Sequence, residues 1–571
     1  MNSSINVQPP MNIKIPEYMP KGIANAYWLL ENEMKKGKDA KFCVYYDPDI
    51  DGLFSGLLAE EYLERLGFKN IHYKYYLNQD RAHGFKLSNE ELKKLEGYTI
   101  IAVDFSVEKE DFDRILRAGA NLIVIDHHEI DISKYTKTNV EYVFSQYKKK
   151  GTYGIILNNQ YLSEPEEFRF LSGAGMVYYF LKYVEKKTQV PVQVDAPALV
   201  GITLLSDVRV IESSEARSFL KCTYTSNSER MKYLHWIVTS EDASAQRFTP
   251  FGVPNMNRDF IDYTFSPVIN SALRDNKGEE VLNLLRRDPK TIEFMRSKDY
   301  LLTLRKKQKT IINDILKEYK ESENTPGTYS NKYSKITVCC LNSDFKPASI
   351  AEDCTITNYI GVACMKIKDD DKTGVILVID RESYKVIRGS VRGGLDGVNY
   401  LEIFQRNGVP SAGHHNAFGI LECDIRNINF EKIDKEVAEK EEEFLRTKKN
   451  TRSVLELNNL EFLVNNQMGR KVCEYNEYSR DNHRIYVKIN ADYRELEDNP
   501  RIRPEKVSDK YIKYHIDNVC VHCYDPSLDI KDSLILLGLE NSKFIKCTLR
   551  QGFEYDAAAD REEIARKIHS L

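Results

Sequence analysis

Short apolar runs that end abruptly in acidic or imidazole side chains recur in the first part of the chain. The four runs are Val44–Tyr46 before Asp47-Pro48-Asp49-Ile50-Asp51-Gly52, Ile100–Val103 before Asp104, Leu122–Ile125 before Asp126-His127-His128, and Val200–Leu205 before Ser206-Asp207. Such runs are typical of strands covered on both faces. Helical patterns such as Leu53–Gly67 alternate with them, which predicts βαβ units and a parallel sheet. Ligands bind at the carboxyl ends of strands in such sheets, so these polar residues are expected to form a ligand-binding or catalytic site there.

The chemistry that this pattern indicates is metal binding. Converging carboxylates repel one another unless cations neutralise them. Oxygen donors suit magnesium or manganese, and an added imidazole shifts the preference toward manganese. Two such ions roughly 3.5–4 Å apart would form a clamp for in-line phosphoryl displacement. The alternative is that each Asp caps the helix that follows it. For Asp104 or Asp207 alone this alternative is preferred, whereas the four segments together favour metal.

The ordered motifs resemble those of the DHH phosphoesterase superfamily, and within it the RecJ-like single-strand exonucleases. Asp47–Gly52 resembles the first motif, Asp104 the second, Asp126-His127-His128 the third, and Asp207 the fourth. Matches to the exonuclease branch are Leu171–Gly175, Pro267–Arg274, Gly389–Arg392 and Gly413–Gly419, the last in the DHH-associated domain. The resemblance runs from about residue 40 to about residue 425. Val268, Leu273 and Ala412 depart from the family pattern, so the nucleic-acid path is less certain than the metal site.

The resemblance implies a role for each matching residue. Two divalent cations, Mn²⁺ preferred or Mg²⁺, would be bound by Asp49, Asp51, Asp104, His127 and Asp207. His128 would stabilise charge or donate a proton near the scissile phosphate, with support from Asp47 and from His414. The substrate would be bound by Arg81, Arg274, Ser390 and Arg392, where a guanidinium suits a terminal phosphate. The alternatives are a solvated loop arginine at Arg81 and a histidine satisfied inside a tight turn at His414.

The expected fold class is α/β: a parallel-sheet DHH catalytic domain, a long helical connector, a smaller α/β DHH-associated domain and a β-rich accessory domain. The expected boundaries are 1–40 for an N-terminal arm and helix, 41–215 for the catalytic domain, 216–327 for the helical region and connector, 328–425 for the DHH-associated domain, and 426–571 for a helix plus the accessory domain. The accessory domain could be an oligonucleotide-binding barrel. The helical pattern Ser297–Ser322 is rich in lysine and arginine, so it predicts either one wall of a nucleic-acid channel or a solvated connector.

Composition narrows the class of protein. A chain of 571 residues is too long for one core. The 82 basic and 86 acidic side chains give a formal net charge of −4, which argues against coating nucleic acid by bulk charge. Met1–Gly22 has no apolar core of a signal peptide, and no apolar stretch approaches ~20 residues. Eleven cysteines without a secretory signal indicate reduced thiols and a cytoplasmic location, in a bacterial or phage-infected bacterial cell.

One cysteine cluster has the spacing of a zinc site. Cys520-Val521-His522-Cys523 would supply two ligands, and a structural zinc needs two more. Cysteines packed in a buried strand are the preferred interpretation. Cys339-Cys340, inside an apolar run, is likewise expected in the core.

The sequence therefore predicts a metal-dependent exonuclease that releases mononucleotides from single-stranded DNA, 5′→3′ by its resemblance, in DNA repair, recombination or phage DNA metabolism. Single-strand-binding or repair and replication proteins are expected partners of the C-terminal domain, and no membrane is expected. One alternative is a phosphodiesterase of short oligoribonucleotides or cyclic dinucleotides. The other is a replication scaffold of the same superfamily without catalysis.

Overall fold

A computed structural model describes residues 14–551 of the chain, apart from a set of short segments. The segments left out are 76–84, 86, 136–140, 208–212, 239–255, 257, 287–291, 323–329, 351–353, 369–371, 396, 448–452, 458–471, 473–474, 477–484, 490–502, 509–510, 517–518, 524–532 and 542–543. The chain forms two compact units. Unit 1 comprises Met1–Tyr76, Ala82–Ser266 and Thr451–Leu571, and unit 2 comprises Leu77–Arg81 and Pro267–Asn450.

Unit 1 is built on a six-stranded sheet that follows helix α1 (Ile23–Lys36). Its strands are β1 (Phe42–Tyr46), β2 (Ile71–Tyr75), β3 (Thr99–Val103), β4 (Asn121–Asp126), β5 (Phe144–Tyr147) and β6 (Thr152–Asn158). The order is β2-β1-β3-β4-β6-β5, and all pairs are parallel except β5 with β6. Every residue of β1 and β3 is buried, as a strand covered on both faces requires. The predicted parallel sheet is confirmed.

The helices of unit 1 correct one expectation. They are α2 (Ile50–Arg65), α3 (Asn89–Lys94), α4 (Lys109–Ala118), α5 (Gly173–Thr188), α6 (Ala196–Ser206), α7 (Ser214–Thr225) and α8 (Glu229–Ile237). The apolar run Val200–Leu205 resembled the three strands in composition but lies in α6. This helix packs against α2, α5 and α7 and is therefore apolar on every side. A short run of this kind does not by itself separate a buried helix from a buried strand.

Unit 2 contains a second sheet with helices on both faces. Its helices are α9 (Ser266–Arg274), α10 (Gly278–Arg286), α11 (Ile292–Ser322), α12 (Ile360–Ile367), α13 (Tyr400–Arg406) and α14 (Phe430–Thr447). Its strands are β7 (Asn331–Lys332), β8 (Ile336–Asn342), β9 (Thr373–Asp380), β10 (Lys385–Arg392), β11 (Ser411–His414), β12 (Ala417–Ile420) and β13 (Cys423–Asp424). The order is β11-β12-β10-β9-β8-β7, with β13 also paired to β10. Cys340 packs toward α13 and α14, while Cys339 packs toward α11 and α12, so both cysteines lie in the core as predicted.

The C-terminal part of unit 1 is a mixed sheet of seven strands. They are β14 (Ser453–Leu457), β15 (Ile485–Ile489), β16 (Arg503–Ser508), β17 (Tyr511–Ile516), β18 (Val519–Cys523), β19 (Ser533–Asn541) and β20 (Phe544–Gln551), in the order β14-β15-β19-β20-β18-β17-β16. The predicted β-rich tail is confirmed. Cys520 and Cys523 lie on β18, but their side chains are outside the described part, so their buried packing stays a prediction. Within the described residues, no helix is long and apolar enough to span a bilayer.

Candidate metal centre and arginine cluster

The ends of β3 and β4 place Asp104 beside His127. The two strands are parallel, with Val103 opposite Ile125, and the Asp104 N–H donates to the Ile125 carbonyl at 2.9 Å. Asp104 has φ of 64°, in the left-handed region that Asp tolerates better than most residues. Gly173 makes room for this side chain, because a Cβ there would lie 2.5 Å from Asp104 Oδ1.

His127 lies at the centre of a group of carboxylates. Its Nε2 is 2.9 Å from Asp104 Oδ1, 3.7 Å from Asp51 Oδ2 and 3.7 Å from Asp207 Oδ2. Asp51 comes from the first turn of α2 and Asp207 from the end of α6, and only Asp207 is partly exposed. Ligand atoms of Asp51, His127 and Asp207 all lie within 4.8 Å of one another. The structure thus brings four of the five predicted ligands together.

The fifth predicted ligand, Asp49, lies at the N-terminus of α2. Its Oδ1 accepts a hydrogen bond from the Gly52 N–H at 2.9 Å, so it caps this helix. Its negative charge also raises the pKa values of Asp51 and Asp104. Asp49 therefore combines the capping role with a position beside the carboxylate group.

The N-terminus of α5 holds the Asp51 carboxylate. Asp51 Oδ2 accepts from the Gly173 N–H at 2.6 Å, and Oδ1 accepts from the Ala174 N–H at 2.9 Å. Ser172 is the N-cap of the same helix and accepts from the Gly175 N–H at 3.2 Å. The first turn of a helix favours an anion, since its amides are unpaired within the helix. The Gly-rich run is therefore a helix start that fixes one wall of the centre.

Burial and neighbouring negative charges raise the pKa values of three carboxyl groups at this centre. Burial and the charge of Asp49 raise the pKa of Asp51 to about 6, despite the two α5 amides that lower it. Burial and the neighbouring Asp51 and Asp49 raise the pKa of Asp104 well above its usual range. Burial and Asp49 do the same to the pKa of Asp47. Because these donors are carboxylate oxygens with one imidazole nitrogen, they fit a magnesium or manganese ion, which would offset the repulsion.

His128 points to a different partner from His127. Its Nδ1 lies 2.7 Å from Asp126 Oδ1. Burial alone would lower the pKa of His128, but the Asp126 carboxylate outweighs it and raises this pKa to about 9. Burial would raise the pKa of Asp126, and His128 instead lowers it to about 2. Asp126 was not among the predicted site residues, although its place two residues before His128 was the available signal.

Unit 2 carries a separate cluster of arginines. Arg392 Nη1 donates to Ser390 Oγ at 3.0 Å and to the Val391 carbonyl at 2.7 Å. A Cβ at Gly361, in the first turn of α12, would lie 2.9 Å from Arg392 Nη2. Burial lowers the pKa of Arg274 to about 10, with further lowering from the nearby cations Arg392 and Arg305. Three predicted substrate-binding residues, Arg274, Ser390 and Arg392, thus lie in one unit.

Arg305 was missed because it is one of many basic residues in α11. Within the described part of the chain, no carboxylate pairs with Arg274, Arg305 or Arg392. Guanidinium groups without a carboxylate partner are suited to an external anion such as a phosphate.

Two predicted site residues fall wholly or partly outside the described residues. Arg81 lies in the segment 76–84. The backbone of His414 belongs to β11 and pairs with Ala417 of β12, whereas its side chain is not described. The roles of both residues stay predictions.

Part of the chain matches a known protein family. Residues 41–202 match the family model described as the DHH family, N-terminal domain. The provisionally named SPbeta prophage-derived single-strand DNA-specific exonuclease YorK of Bacillus subtilis (strain 168) is 22% identical over 422 residues, which cover 70% of this chain and 66% of the relative. A provisionally named single-strand DNA-specific exonuclease, yorK, from Bacillus phage SPbeta has the same identity and the same coverage. The match thus spans just under two thirds of the length of these relatives.

Solved structures share the fold. RecJ in complex with Mn²⁺ from Thermus thermophilus aligns with a TM-score of 0.63 at 16% identity, covering 96% of this chain and 75% of that one. Exonuclease RecJ bound to manganese aligns with a TM-score of 0.52 at 18% identity, covering 74% of this chain and 96% of that one. Residues 41–202 therefore match the N-terminal domain of the DHH family, and the chain shares the fold of RecJ.

Proposed function

We propose that this protein is a metal-dependent exonuclease that hydrolyses phosphodiester bonds of single-stranded DNA. The observation that carries the proposal is the convergence of Asp51, His127 and Asp207 within 4.8 Å, with Asp51 and His127 inside the residues that match the DHH family. The relatives named as single-strand DNA-specific exonucleases support the substrate. Retention of these ligand atoms argues against a scaffold without catalysis.

The metal centre takes two divalent cations in this proposal, with Mn²⁺ preferred because of the imidazole ligand. Such ions would activate a water molecule and stabilise charge on the phosphate. Asp49, Asp51, Asp104, His127 and Asp207 hold the cations. Asp47, which follows β1, supports them, since burial and the charge of Asp49 raise the pKa of its carboxyl and so place it beside the ligands.

His128 acts on the substrate and not on the metal. Asp126 binds Nδ1 of His128 at 2.7 Å and keeps the ring cationic. The opposite nitrogen, Nε2, then donates a hydrogen bond to a phosphate oxygen or a proton to the leaving oxygen. His414 assists at the same phosphate.

The polarity of digestion is 5′→3′ in this proposal. Arg274, Ser390 and Arg392, together with Arg81, bind the terminal 5′ phosphate and so set the register from which one mononucleotide is removed. The process served is DNA repair, recombination or phage DNA metabolism in the bacterial cytoplasm. The domain boundaries given above, with 426–571 as an accessory domain that contacts other repair or replication proteins, belong to the same proposal.

The test uses single-stranded DNA labelled at either the 5′ or the 3′ end, incubated with the protein and Mn²⁺. We expect immediate release of labelled mononucleotide from the 5′-labelled strand alone. Asp51→Asn should reduce the rate by at least about 100-fold, since even groups that only orient metal ligands contribute about 10–100-fold. Glu33→Gln is the matched control, because Glu33 is a buried carboxylate bound to Thr99 and Lys36 outside the centre.

Other outcomes would redirect the proposal. Release from the 3′-labelled strand alone would reverse the polarity and leave the metal chemistry. Cleavage of dinucleotides without degradation of long strands would place the protein among phosphodiesterases of short oligonucleotides. Asp51→Asn protein with wild-type activity would refute the metal centre itself.

A further inference from the structure

Asn158 lies beside the Asp-His-His turn on the neighbouring strand. It is the last residue of β6, opposite Asp126, the last residue of β4, in the parallel register. Its side chain is fully buried, at 0% exposure. A buried amide at the carboxyl edge of the sheet must satisfy both its donor and its acceptor there.

The Asn158 amide has hydrogen-bond partners on both sides, two for its nitrogen and one for its oxygen. Its Nδ2 donates to the backbone carbonyl of His128 at 2.9 Å. The same nitrogen lies 3.5 Å from Asp126 Oδ2. Its Oδ1 accepts from the Gln160 N–H at 2.7 Å. If the amide oxygen and nitrogen of Asn158 were exchanged, the oxygen would face the His128 carbonyl oxygen and the nitrogen would face the Gln160 N–H. Because neither pair can form a hydrogen bond, these partners fix the orientation of the amide.

We infer that Asn158 is a positioning residue for His128, an inference that rests on the proposed function. Asp126 holds the imidazole ring through Nδ1, and Asn158 holds the backbone of the same residue through its carbonyl. Together these two contacts fix the imidazole ring and the backbone of His128. A group that acts on the scissile phosphate loses much of its effect when it is displaced by about 1 Å.

The chain offers a matched control at the other end of the same strands. Asn121, the first residue of β4, accepts from the Tyr153 N–H of β6 at 3.0 Å through Oδ1. Its Nδ2 donates to Thr99 Oγ1 at 3.4 Å. Asn121 therefore connects the same two strands by a similar bond, but at the edge away from the metal centre.

The experiment is a double-mutant cycle with Asn158→Ser and His128→Ala, measured as single-turnover cleavage of 5′-phosphorylated single-stranded DNA with Mn²⁺. We expect Asn158→Ser to lower the cleavage rate by about tenfold or more, as outer-layer partners do. In the His128→Ala background the same change should lower it by less than about twofold, because residues that act through one another are not additive. Asn121→Ser should leave the rate within about twofold in the wild-type background.

A second readout separates positioning from loss of structure or metal. Mn²⁺ affinity, measured by electron paramagnetic resonance, should change less than about threefold in Asn158→Ser, since the metal ligands keep their own partners. If this variant does not fold, Asn158→Ala removes the donor to His128 without adding a charge beside Asp126, and it should behave as expected for Asn158→Ser.

Two results would overturn the inference: an unchanged cleavage rate in the Asn158 variants, or an equal loss in both His128 backgrounds. The proposed function fails in a different arm of the experiment. Wild-type protein that does not cleave single-stranded DNA would overturn the proposed function, and the positioning role with it. Active wild-type protein with a fully active Asn158 variant would overturn only the positioning role.

Discussion

Arg392 is a candidate phosphate-binding side chain of unit 2. It bonds to Ser390 and lies against the first turn of α12, with Arg274 as a cationic neighbour. Cations held together without a carboxylate among the described residues repel one another. A bound phosphate dianion would remove this repulsion and accept the guanidinium hydrogen bonds. The preference for a 5′ phosphate should therefore depend on Arg392.

Arg392→Ala tests this at the level of one residue. The wild-type protein should prefer 5′-phosphorylated over 5′-hydroxyl single strands, and the variant should lose about 10–150-fold of that preference, the value of one charge-assisted hydrogen bond. The measurement is kcat/KM for the two substrates. Arg426→Ala is the control, since Arg426 is an exposed arginine paired with Asp424. A variant that keeps the full preference would show that the phosphate binds elsewhere.

The candidate ligands show which residue roles a sequence pattern can predict. Asp49 does cap α2, as the capping alternative supposed. Asp51 instead binds the start of α5, 122 positions further along the chain, and Asp207 lies at the end of a helix. Capping therefore does not explain Asp51 or Asp207. Asn158 could not be found in the sequence, because a single amide has no motif and its partner carbonyl is 30 positions away.

At the level of an element, helix α5 must accommodate the Asp104 side chain of the metal centre at its first residue, Gly173. Alanine favours helices over glycine by about 1 kcal/mol, so Gly173→Ala would stabilise α5 if only the helix mattered. The added Cβ would lie 2.5 Å from Asp104 Oδ1, however, so Asp104 or the helix must move. We expect Mn²⁺ affinity and the cleavage rate each to fall by about 10–100-fold, as they do when a group that orients a metal ligand is lost.

Gly175→Ala provides the control within the same turn. Its Cβ would lie 3.2 Å from Leu171 Cδ2 and 3.3 Å from Leu171 Cβ, so Leu171 must shift by only a few tenths of an ångström. Cleavage by this variant should stay close to the wild-type rate. Titration calorimetry with Mn²⁺ and the labelled-strand assay check both variants, and a Gly173→Ala protein with normal metal binding would contradict the close-packing argument.

Elements were predictable where burial and pattern agree. The runs that became β1, β3 and β4 are short, apolar and buried on both faces, so their sequences favour strands. The run in α6 is equally apolar because three helices surround it, and its pattern carries no period to distinguish it from a strand. The carboxyl-edge position of the ligands was nevertheless predicted correctly for Asp104 and His127, since it follows from the parallel sheet alone.

At the scale of the whole molecule, the two units contribute different chemistry. The carboxylate centre belongs entirely to unit 1, and the arginines Arg274, Arg305 and Arg392 belong entirely to unit 2. The DHH-type motifs along the sequence pointed to candidates in both groups of residues, but not to Arg305. The grouping of Thr451–Leu571 with unit 1 was not predictable, because it depends on contacts between segments far apart in the chain and no motif marks it.

This division predicts that metal stabilises the molecule through unit 1. A ligand that binds only the folded state adds about 2.7 kcal/mol at 100 times its Kd. Unit 1 is longer than 250 residues, so each kcal/mol corresponds to a rise in Tm on the order of 1 °C. Mn²⁺ should thus raise the melting transition of the wild-type protein, and EDTA should reverse the rise. The transition is followed by differential scanning calorimetry.

Asp207→Asn should abolish most of this rise, because it removes the charge of one of the three side chains that meet within 4.8 Å. Without Mn²⁺ the same variant should melt no earlier than the wild type, since it relieves repulsion among buried carboxylates that lack a cation. Asp113→Asn, on a surface aspartate paired with Lys109 in α4, should keep the full Mn²⁺-dependent rise. A rise that survives Asp207→Asn would place the stabilising cation outside the Asp51, His127 and Asp207 cluster, and so separate metal binding from the centre proposed for catalysis.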